Sequence, residues 1–312
     1  MAVHMFKACA VAAIVAAICG ASYFWWSAIR GDADDVPRQE VLNPGDTAAI
    51  SDVHTGVVHK DGPSLSIVPD VNFDPLAELH AANDLRAFSE KAKLHPEQGG
   101  IFYAKRAKFQ CLTVFDLVRN GDKLPPVRSE DLYSQQDALR KLQNLCANFN
   151  AYEVEPQEVL MGSNNGDVLQ DSLLSIQRRL SKAKSNEERK APLLELLVKA
   201  DPELMRLSLI PVTERGQYFD GEYYPFGASS NIIGEALSLL ACDLGERCDS
   251  TDFEVVYTCA FQGRCVADRM SLIDLQLKDN PSSQMSLDDV RRLKDRILSA
   301  INSRNINAFV PR

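Results

Sequence analysis

Six cysteines in the later part of the chain are the residues whose type and spacing most directly imply chemistry. They are Cys111, Cys146, Cys242, Cys248, Cys259 and Cys265. An even set of cysteines in an oxidising compartment predicts disulfides, here up to three. Two pairs, 242–248 and 259–265, share one spacing, and in each a glycine follows the end of a predicted helix and turns the chain back. We therefore predict bridges within these pairs rather than crossed pairing, and a third bridge between Cys111 and Cys146.

A zinc site is the alternative for the four clustered cysteines. Structural zinc sites favour cysteines separated by roughly two to four residues, whereas five residues intervene in both pairs here. The histidines do not help, because none of them stands beside these cysteines in the sequence. They are His4, His54, His59, His80 and His95. We therefore expect no metal ligand and no cofactor.

A dense run of aromatic and acidic residues between positions 218 and 226 is the candidate binding surface. Its members are Tyr218, Phe219, Asp220, Glu222, Tyr223, Tyr224 and Phe226. Aromatic rings with interleaved carboxylates can stack on sugars or bind an extended peptide. The alternative is that the segment folds back and buries its rings between helices, which is the commoner fate of rings at this density.

No catalytic motif is recognisable in the sequence. It contains no His-Glu-x-x-His, no Gly-x-Ser-x-Gly and no phosphate-binding glycine loop, so we assign no catalytic residue. The 43 acidic residues leave open a carboxylate pair that acts on glycan, because such a pair is defined by its distance in space. The net charge of −9 and the absence of clustered basic residues argue against nucleic-acid binding.

Residues 8–29 carry no charge and are long enough to span a bilayer as a helix. Lys7 precedes them and acidic residues follow, so the positive-inside rule predicts a cytoplasmic N-terminus. We therefore expect a single-pass inner-membrane protein with its C-terminal domain in the periplasm. A cleaved signal peptide is the alternative, because residues 20–22 are small, but the bulky run at 23–26 favours an anchor.

The chain therefore divides into an anchor or uncleaved signal at 1–30, a flexible Pro/Asp/Gly-rich tether at 31–73 and a helical exported domain at 74–312. Within that domain, apolar residues recur at helical spacing and no segment alternates like a strand. Helix-start signals occur at Asp74-Pro75, at Asp201-Pro202, at Thr251 with Glu254, and at Ser286. The pattern predicts an all-α fold: an irregular stack of antiparallel helix pairs, loosely tetratricopeptide-like, cross-linked by disulfides and preceded by a transmembrane helix.

Three short motifs resemble a family. They are Pro-Glu-Gln-Gly-Gly at 96–100 followed by Tyr103-Ala104, Cys-Asp-Leu-Gly-x-x-Cys at 242–248, and Cys-x-x-x-Gly-x-Cys at 259–265. Together they resemble uncharacterised bacterial envelope proteins, which are exported and helical; the resemblance covers 75–120 and 215–275 and implies no activity. We expect a non-enzymatic envelope protein that offers a helical groove to a protein or peptidoglycan partner. The alternative is an enzyme that acts on cell-wall glycan with paired carboxylates near 218–226.

Overall fold

The computed structural model describes residues 73–119, 132–154, 165–212, 216–225, 232–279 and 285–310. Within these ranges the protein is mostly helical, with twelve α-helices and one two-stranded hairpin. The helices are α1 (Pro75–Ala81), α2 (Leu85–Ala92), α3 (Gly100–Arg119), α4 (Leu132–Cys146), α5 (Asn165–Gln170), α6 (Ser172–Lys182), α7 (Asn186–Lys199), α8 (Pro202–Ser208), α9 (Ile232–Asp243), α10 (Phe253–Gln262), α11 (Arg269–Asp279) and α12 (Leu287–Asn302). The strands are β1 (Gly216–Phe219) and β2 (Glu222–Pro225).

The predicted anchor at 8–29 and nearly all of the predicted tether at 31–73 lie outside the described residues. Inside the described ranges, no helix combines the length and the apolar character that crossing a membrane requires.

Acidic and hydroxyl side chains begin the helices largely where the sequence signals stand. The Asp74 carboxylate accepts hydrogen bonds from two backbone amides of α1, with the predicted proline at its first position. Ser286 forms a capping box with Asp289 at the start of α12. The prediction for α10 was wrong by one residue: Asp252 is the cap, because the Thr251 hydroxyl donates to Asp249 instead.

All three predicted disulfides are present. The Cα–Cα distances are 5.4 Å for Cys111–Cys146, 5.8 Å for Cys242–Cys248 and 4.3 Å for Cys259–Cys265. The chain reversal that the local pairs need is made at Gly245 (φ +105°) and Gly263 (φ +65°), each just beyond a helix. The four clustered cysteines are thus bonded to each other, so none of them offers a thiolate to zinc.

Helix packing joins neighbours in sequence and also distant segments. Consecutive helices such as α2 with α3 and α6 with α7 pack together. Helix α10 packs on α4, and α12 packs on α9, although more than a hundred residues separate α4 from α10. Contacts of α3 with α1, α4 and α10 complete a group of four helices. This group surrounds the cleft described below.

The prediction that no strand occurs was wrong. Strands β1 and β2 pair antiparallel, with Tyr218 opposite Tyr223, and a two-residue turn joins them. Asp220 and Gly221 form that turn with φ of +52° and +82°, which is the geometry of a type I′ hairpin. An Asp-Gly pair flanked by aromatic residues is itself a sequence signal for a hairpin.

Candidate functional site

A cluster of buried arginine and acidic side chains lies where the distant helices meet. Its members are Arg106 from α3, Glu203 and Arg206 from α8, Glu246 from the loop after α9, Asp252 and Glu254 from the start of α10, and Arg269, the first residue of α11. Charges are costly to bury unless they are paired and hydrogen-bonded. The contacts within the cluster therefore show which of its charged groups are paired and which could interact with a ligand.

Glu203 is the centre of one half of the cluster. Its side chain is 3 % exposed, and its Oε1 lies 2.6 Å from the Nε of Arg106 and 3.1 Å from the Nη2 of Arg206. Arg206 also forms an ion pair with Glu254. These guanidinium groups outweigh the effect of burial and hold the pKa of Glu203 below its usual value.

Arg269 is the centre of the other half. Its side chain is 2 % exposed, and its Nη2 donates to Asp252 and lies 3.3 Å from a carboxylate oxygen of Glu246. Its Nε lies 3.7 Å from Glu254, which is too long for a hydrogen bond. The backbone amide of Arg269 donates to the carbonyl of Cys248 at 2.9 Å. One arginine thus connects α10, α11 and the loop after α9.

The two local disulfides stabilise the segments that carry this half of the cluster. The Cys242–Cys248 bridge closes the loop in which Glu246 lies. The Cys259–Cys265 bridge ties the end of α10 to the connection that leads into Arg269. Closing a short loop restricts the conformations of the residues in it. The duplicated cysteine spacing therefore positions the charged residues as well as the helix ends.

A cavity of about 250 Å³ opens between α1, α3, α4, α10 and the loop after α9. One wall is apolar and consists mainly of Leu76, Leu79, Leu85, Leu142, Leu145, Phe253 and Val256. The polar end consists of Arg106, Glu203, Glu246, Asp252, Glu254 and Arg269. The remaining polar lining includes the exposed Lys141, Ser250 and Thr251 and the half-buried His80 and Arg247. The cavity is an amphipathic cleft, which is the usual character of a ligand site.

The carboxyl groups of the cluster differ in their proton affinity. Burial tends to raise the pKa of Glu254, but Arg206 and Arg269 outweigh it and lower that pKa to about 2. Burial, reinforced by the charge of Glu203, raises the pKa of Glu246 to about 7. Burial also raises the pKa of Glu235, near the start of α9, to about 7. Glu235 does not line the cleft.

Glu246 has one carboxylate oxygen without a partner. Its side chain is 10 % exposed, and while Oε1 accepts from Arg269, Oε2 is buried with no hydrogen bond from any described residue. A buried acceptor left without a donor costs roughly 1–3 kcal/mol, and more when it is charged. Glu246 itself lines the cleft described above.

Two basic side chains, His80 and Arg247, line the same cleft as Glu246. The Nε2 atom of His80 accepts a hydrogen bond from the backbone amide of Arg247 at 3.3 Å. Burial, then the nearby Arg247 and Arg269, lowers the pKa of His80, so its imidazole is neutral at pH 7. Among the described residues, no carboxylate forms an ion pair with the Arg247 guanidinium, whereas Lys141 pairs with Asp137 at 3.0 Å.

The rings of the predicted binding segment lie elsewhere and are mostly packed. Phe219 is 1 % exposed and contacts Phe309 with ring centroids 5.6 Å apart. The rings of Tyr218 and Tyr223 contact each other in a tilted arrangement with centroids 4.8 Å apart, and Tyr223 is 42 % exposed. Phe226 lies outside the described residues. Of the four rings described, Tyr223 is the exposed one.

The acidic residues of that segment also have partners, in ion pairs and a hydrogen bond. Arg296 of α12 lies 3.0 Å from Glu222 and 3.4 Å from Asp220. The hydroxyl of Tyr224 donates to Glu222. None of the described hairpin residues lines the cleft. The structure therefore brings the predicted binding residues together in one hairpin and separates that hairpin from the cavity.

Sequence reasoning missed the charged cluster. Its residues come from five separate segments, and no short motif contains more than two or three of them. One weak signal existed, because Glu246 and Arg247 lie inside the first cysteine pair. Across the described ranges, no group of three or more His, Cys, Asp or Glu residues is arranged to hold a metal ion.

Comparisons of the chain with protein-family models, with curated proteins and with solved structures found no match. The geometry of the cleft is therefore the basis on which a function is argued.

Proposed function

We propose that this protein is a non-enzymatic binding protein of the bacterial envelope, anchored in the inner membrane through residues 8–29, which takes a group of an envelope partner into the amphipathic cleft. The partner is a protein or a peptidoglycan-related molecule. Three disulfides suit an oxidising compartment such as the periplasm. A stack of helix pairs, as the sequence predicts, is an architecture that commonly offers concave binding surfaces.

One observation carries the proposal: the cleft combines an apolar wall with a buried oxygen of Glu246 that no described residue satisfies. Buried polar atoms in folded proteins are nearly always hydrogen-bonded, so an exception calls for water or a ligand. The cavity of about 250 Å³ is a little smaller than the roughly 300–1,000 Å³ of pockets for drug-sized ligands. It suits one or two amino-acid residues of a larger partner.

Binding is favoured over catalysis because the carboxyl groups of the cleft form ion pairs with arginines. Glu246, Asp252 and Glu254 all lie against the single guanidinium of Arg269, and Glu203 is held by Arg106 and Arg206. A glycosidase needs two carboxyl groups with room for the scissile bond between them. In this cluster the carboxyl groups are instead gathered around arginines in ion pairs.

Site-specific photocrosslinking tests the proposal. A photoreactive amino acid replaces Thr251, an exposed residue of the cleft lining, in the chain expressed at its native level. The matched control replaces Leu169 of α5, which is 87 % exposed and is not among the residues that line the cleft. We expect a discrete crosslinked product from position 251 and none from position 169. The same product from both positions, or none from 251, would overturn the proposal.

An enzyme that acts on cell-wall glycan is the second candidate, and one observation favours it. Glu246 has a pKa of about 7 and Glu254 a pKa of about 2 in one cavity, and such a pair can supply one protonated and one ionised acid. The test is release of reducing sugar ends from purified peptidoglycan by the full chain and by Glu246→Gln. Release by the unmodified chain alone would establish this activity in place of simple binding.

A further inference from the structure

The chemistry of the cleft lining restricts which group the proposed partner brings to it. Oε2 of Glu246 needs a hydrogen-bond donor, and a cationic donor gains most from a buried carboxylate. Arg269 does not satisfy this oxygen: its Nη2 is shared between Oε1 of Glu246 and Asp252, and its Nε, which has no hydrogen-bond partner among the described residues, lies 3.7 Å from Glu254. The donor has to enter through the cleft.

The apolar wall indicates what the donor is attached to. Leucine side chains of α1 and α4 form most of this wall. They are Leu76, Leu79, Leu142 and Leu145. Burial of an apolar side chain on such a wall gives roughly 25 cal/mol for each Å² removed from water. A strongly hydrated cation without an apolar body would not use this surface.

Arg247 is the third feature of the cleft that could recognise a ligand, after the carboxyl group of Glu246 and the apolar wall. It lines the same cleft as Glu246 and has no ion pair with any carboxylate in the described ranges. A guanidinium in this position can donate to a carbonyl or carboxylate oxygen of the ligand. A carboxylate, a guanidinium and an apolar wall together match the ammonium, the carbonyl and the side chain of one amino-acid residue.

We infer that the cleft binds an α-ammonium group carried by an apolar residue, with the ammonium donating to Oε2 of Glu246 and the side chain on the leucine wall. This inference rests on the proposed binding function and specifies its ligand class. The group is supplied either by the amino end of a peptide or by a free apolar amino acid. Both share the chemistry that the cleft recognises.

Calorimetric titration of the full chain in detergent, with its disulfides intact, tests the inference. The probes are leucyl-leucinamide, its N-acetyl derivative, glycyl-glycinamide and free leucine. We expect leucyl-leucinamide to bind, and N-acetylation to weaken binding roughly tenfold to a hundredfold, because it removes a charged hydrogen bond. The glycine peptide should bind more weakly because it lacks apolar side chains. Equal affinity of the free and acetylated peptides would overturn the inference.

A pair of variants assigns the effect to one carboxyl group. Glu246→Gln should lower the affinity for leucyl-leucinamide by a similar factor and make it indifferent to acetylation. Glu235→Gln is the matched control, because Glu235 also has a pKa of about 7 in the same charged surroundings but does not line the cleft. Thermal unfolding of both variants checks that each is folded. The comparison of acetylated with free peptide on the unmodified chain needs no variant.

The results of these titrations distinguish a peptide end from a free amino acid as the source of the ammonium group. Together with the crosslinking, they also distinguish failure of the ligand class from failure of the proposed function. Tighter binding of leucyl-leucinamide than of leucine identifies a peptide end, and the reverse identifies a free amino acid. Absence of binding by every probe, together with a crosslinked partner at position 251, would overturn the ligand class and leave the binding function standing. Peptide binding without a crosslinked partner would overturn the proposed function and leave the ligand class standing.

Discussion

The cleft and the β-hairpin both combine acidic residues with arginine, yet they leave their polar groups in different states. In the hairpin, Arg296 pairs with Asp220 and Glu222, and the tyrosine hydroxyl of residue 224 donates to Glu222. In the buried cluster at the cleft, Arg106, Arg206 and Arg269 pair with four carboxyl groups, yet Oε2 of Glu246 and Nε of Arg269 have no hydrogen-bond partner in the described part of the chain. The acidic side chains of the hairpin therefore have partners, whereas the cluster leaves two buried polar atoms without one.

The comparison shows that local density of chemically interesting residues is a poor guide to a site. The aromatic run at 218–226 is concentrated in sequence because a tight hairpin needs cross-strand ring pairs such as Tyr218 with Tyr223. The charged cluster is dispersed in sequence because it lies where several helices converge. Ligand sites commonly form at such convergences.

The strongest test of the comparison is removal of each central arginine. Arg269→Met leaves Glu246, Asp252 and Glu254 without their common partner and should lower the free energy of unfolding by roughly 3–5 kcal/mol. Arg296→Met, the control in the hairpin, should cost less than about 1 kcal/mol because its ion pairs are exposed. Urea unfolding measures both. Equal losses would remove the distinction between the two regions.

The next effect is on the pH dependence of stability. The folded pKa of Glu246 is about 7, above its usual 4.5, so the folded state holds a proton that the unfolded state loses first. The contribution of Glu246 to the free energy of unfolding is therefore fully present below pH 4.5. It declines by on the order of 3 kcal/mol as the pH rises to about 7. Glu235 acts in the same direction. The unfolding midpoint in urea, measured from pH 5 to 8, should fall accordingly.

Two variants sharpen this prediction. Glu246→Gln should remove only part of the decline, because burial also raises the pKa of Glu235 to about 7 and that of Asp201 to about 6. The groups whose charges act on Glu246 in the folded protein are Glu203, Arg206, Glu254 and Arg269. Glu222→Gln in the hairpin should leave the slope between pH 5 and 7 unchanged, since Arg296 lowers the pKa of Glu222 and moves its effect below pH 4.5. A slope unaltered by Glu246→Gln would contradict the assignment.

Removal of one disulfide tests whether it positions the cleft. The double variant Cys242→Ser/Cys248→Ser opens a short loop and should lower the free energy of unfolding by about 2 kcal/mol. It should also weaken the binding of leucyl-leucinamide, because the loop that carries Glu246 loses its constraint. Titration and urea unfolding of the same preparation separate these effects. Retained affinity would show that the bridge serves stability alone.

The smallest effect is expected in the hairpin turn. Gly221 has φ +82°, so Gly221→Ala places a side chain in a left-handed conformation and should cost about 1 kcal/mol. The affinity of the cleft for leucyl-leucinamide should not change. This variant therefore also controls for general destabilisation in the disulfide experiment. A loss of affinity would connect the hairpin to the binding site.

Short-range features of the fold were predictable because their causes are short-range. The aspartate at 74 followed by proline, and the serine at 286, begin helices as their types predict. The glycines after α9 and α10 turn the chain back and bring each local cysteine pair together. The one misplaced cap, at Asp252, differs from the prediction by a single residue.

The hairpin was missed although its signal is local. Each strand has only four residues, too few for the alternation of apolar and polar positions to stand out. The hairpin is held by its register and by tertiary contacts, namely Phe219 on Phe309 and the amide of Asp220 donating to the carbonyl of Ala308. Neither contact is visible in the run of aromatic residues itself.

By itself, the sequence determined the helical character of the domain, its helix starts and stops, and the pairing of its six cysteines. The helix ends and the two local bridges depend on backbone preferences and on residues within one or two turns of each other. The Cys111–Cys146 bridge follows from the position of both cysteines on the buried stripes of consecutive helices. Only the tertiary structure decided that Glu203, Glu246 and Arg269 meet at one end of an apolar cleft. The physical reason is that pairing of buried charges depends on distances between helices far apart along the chain, and no local propensity encodes those distances.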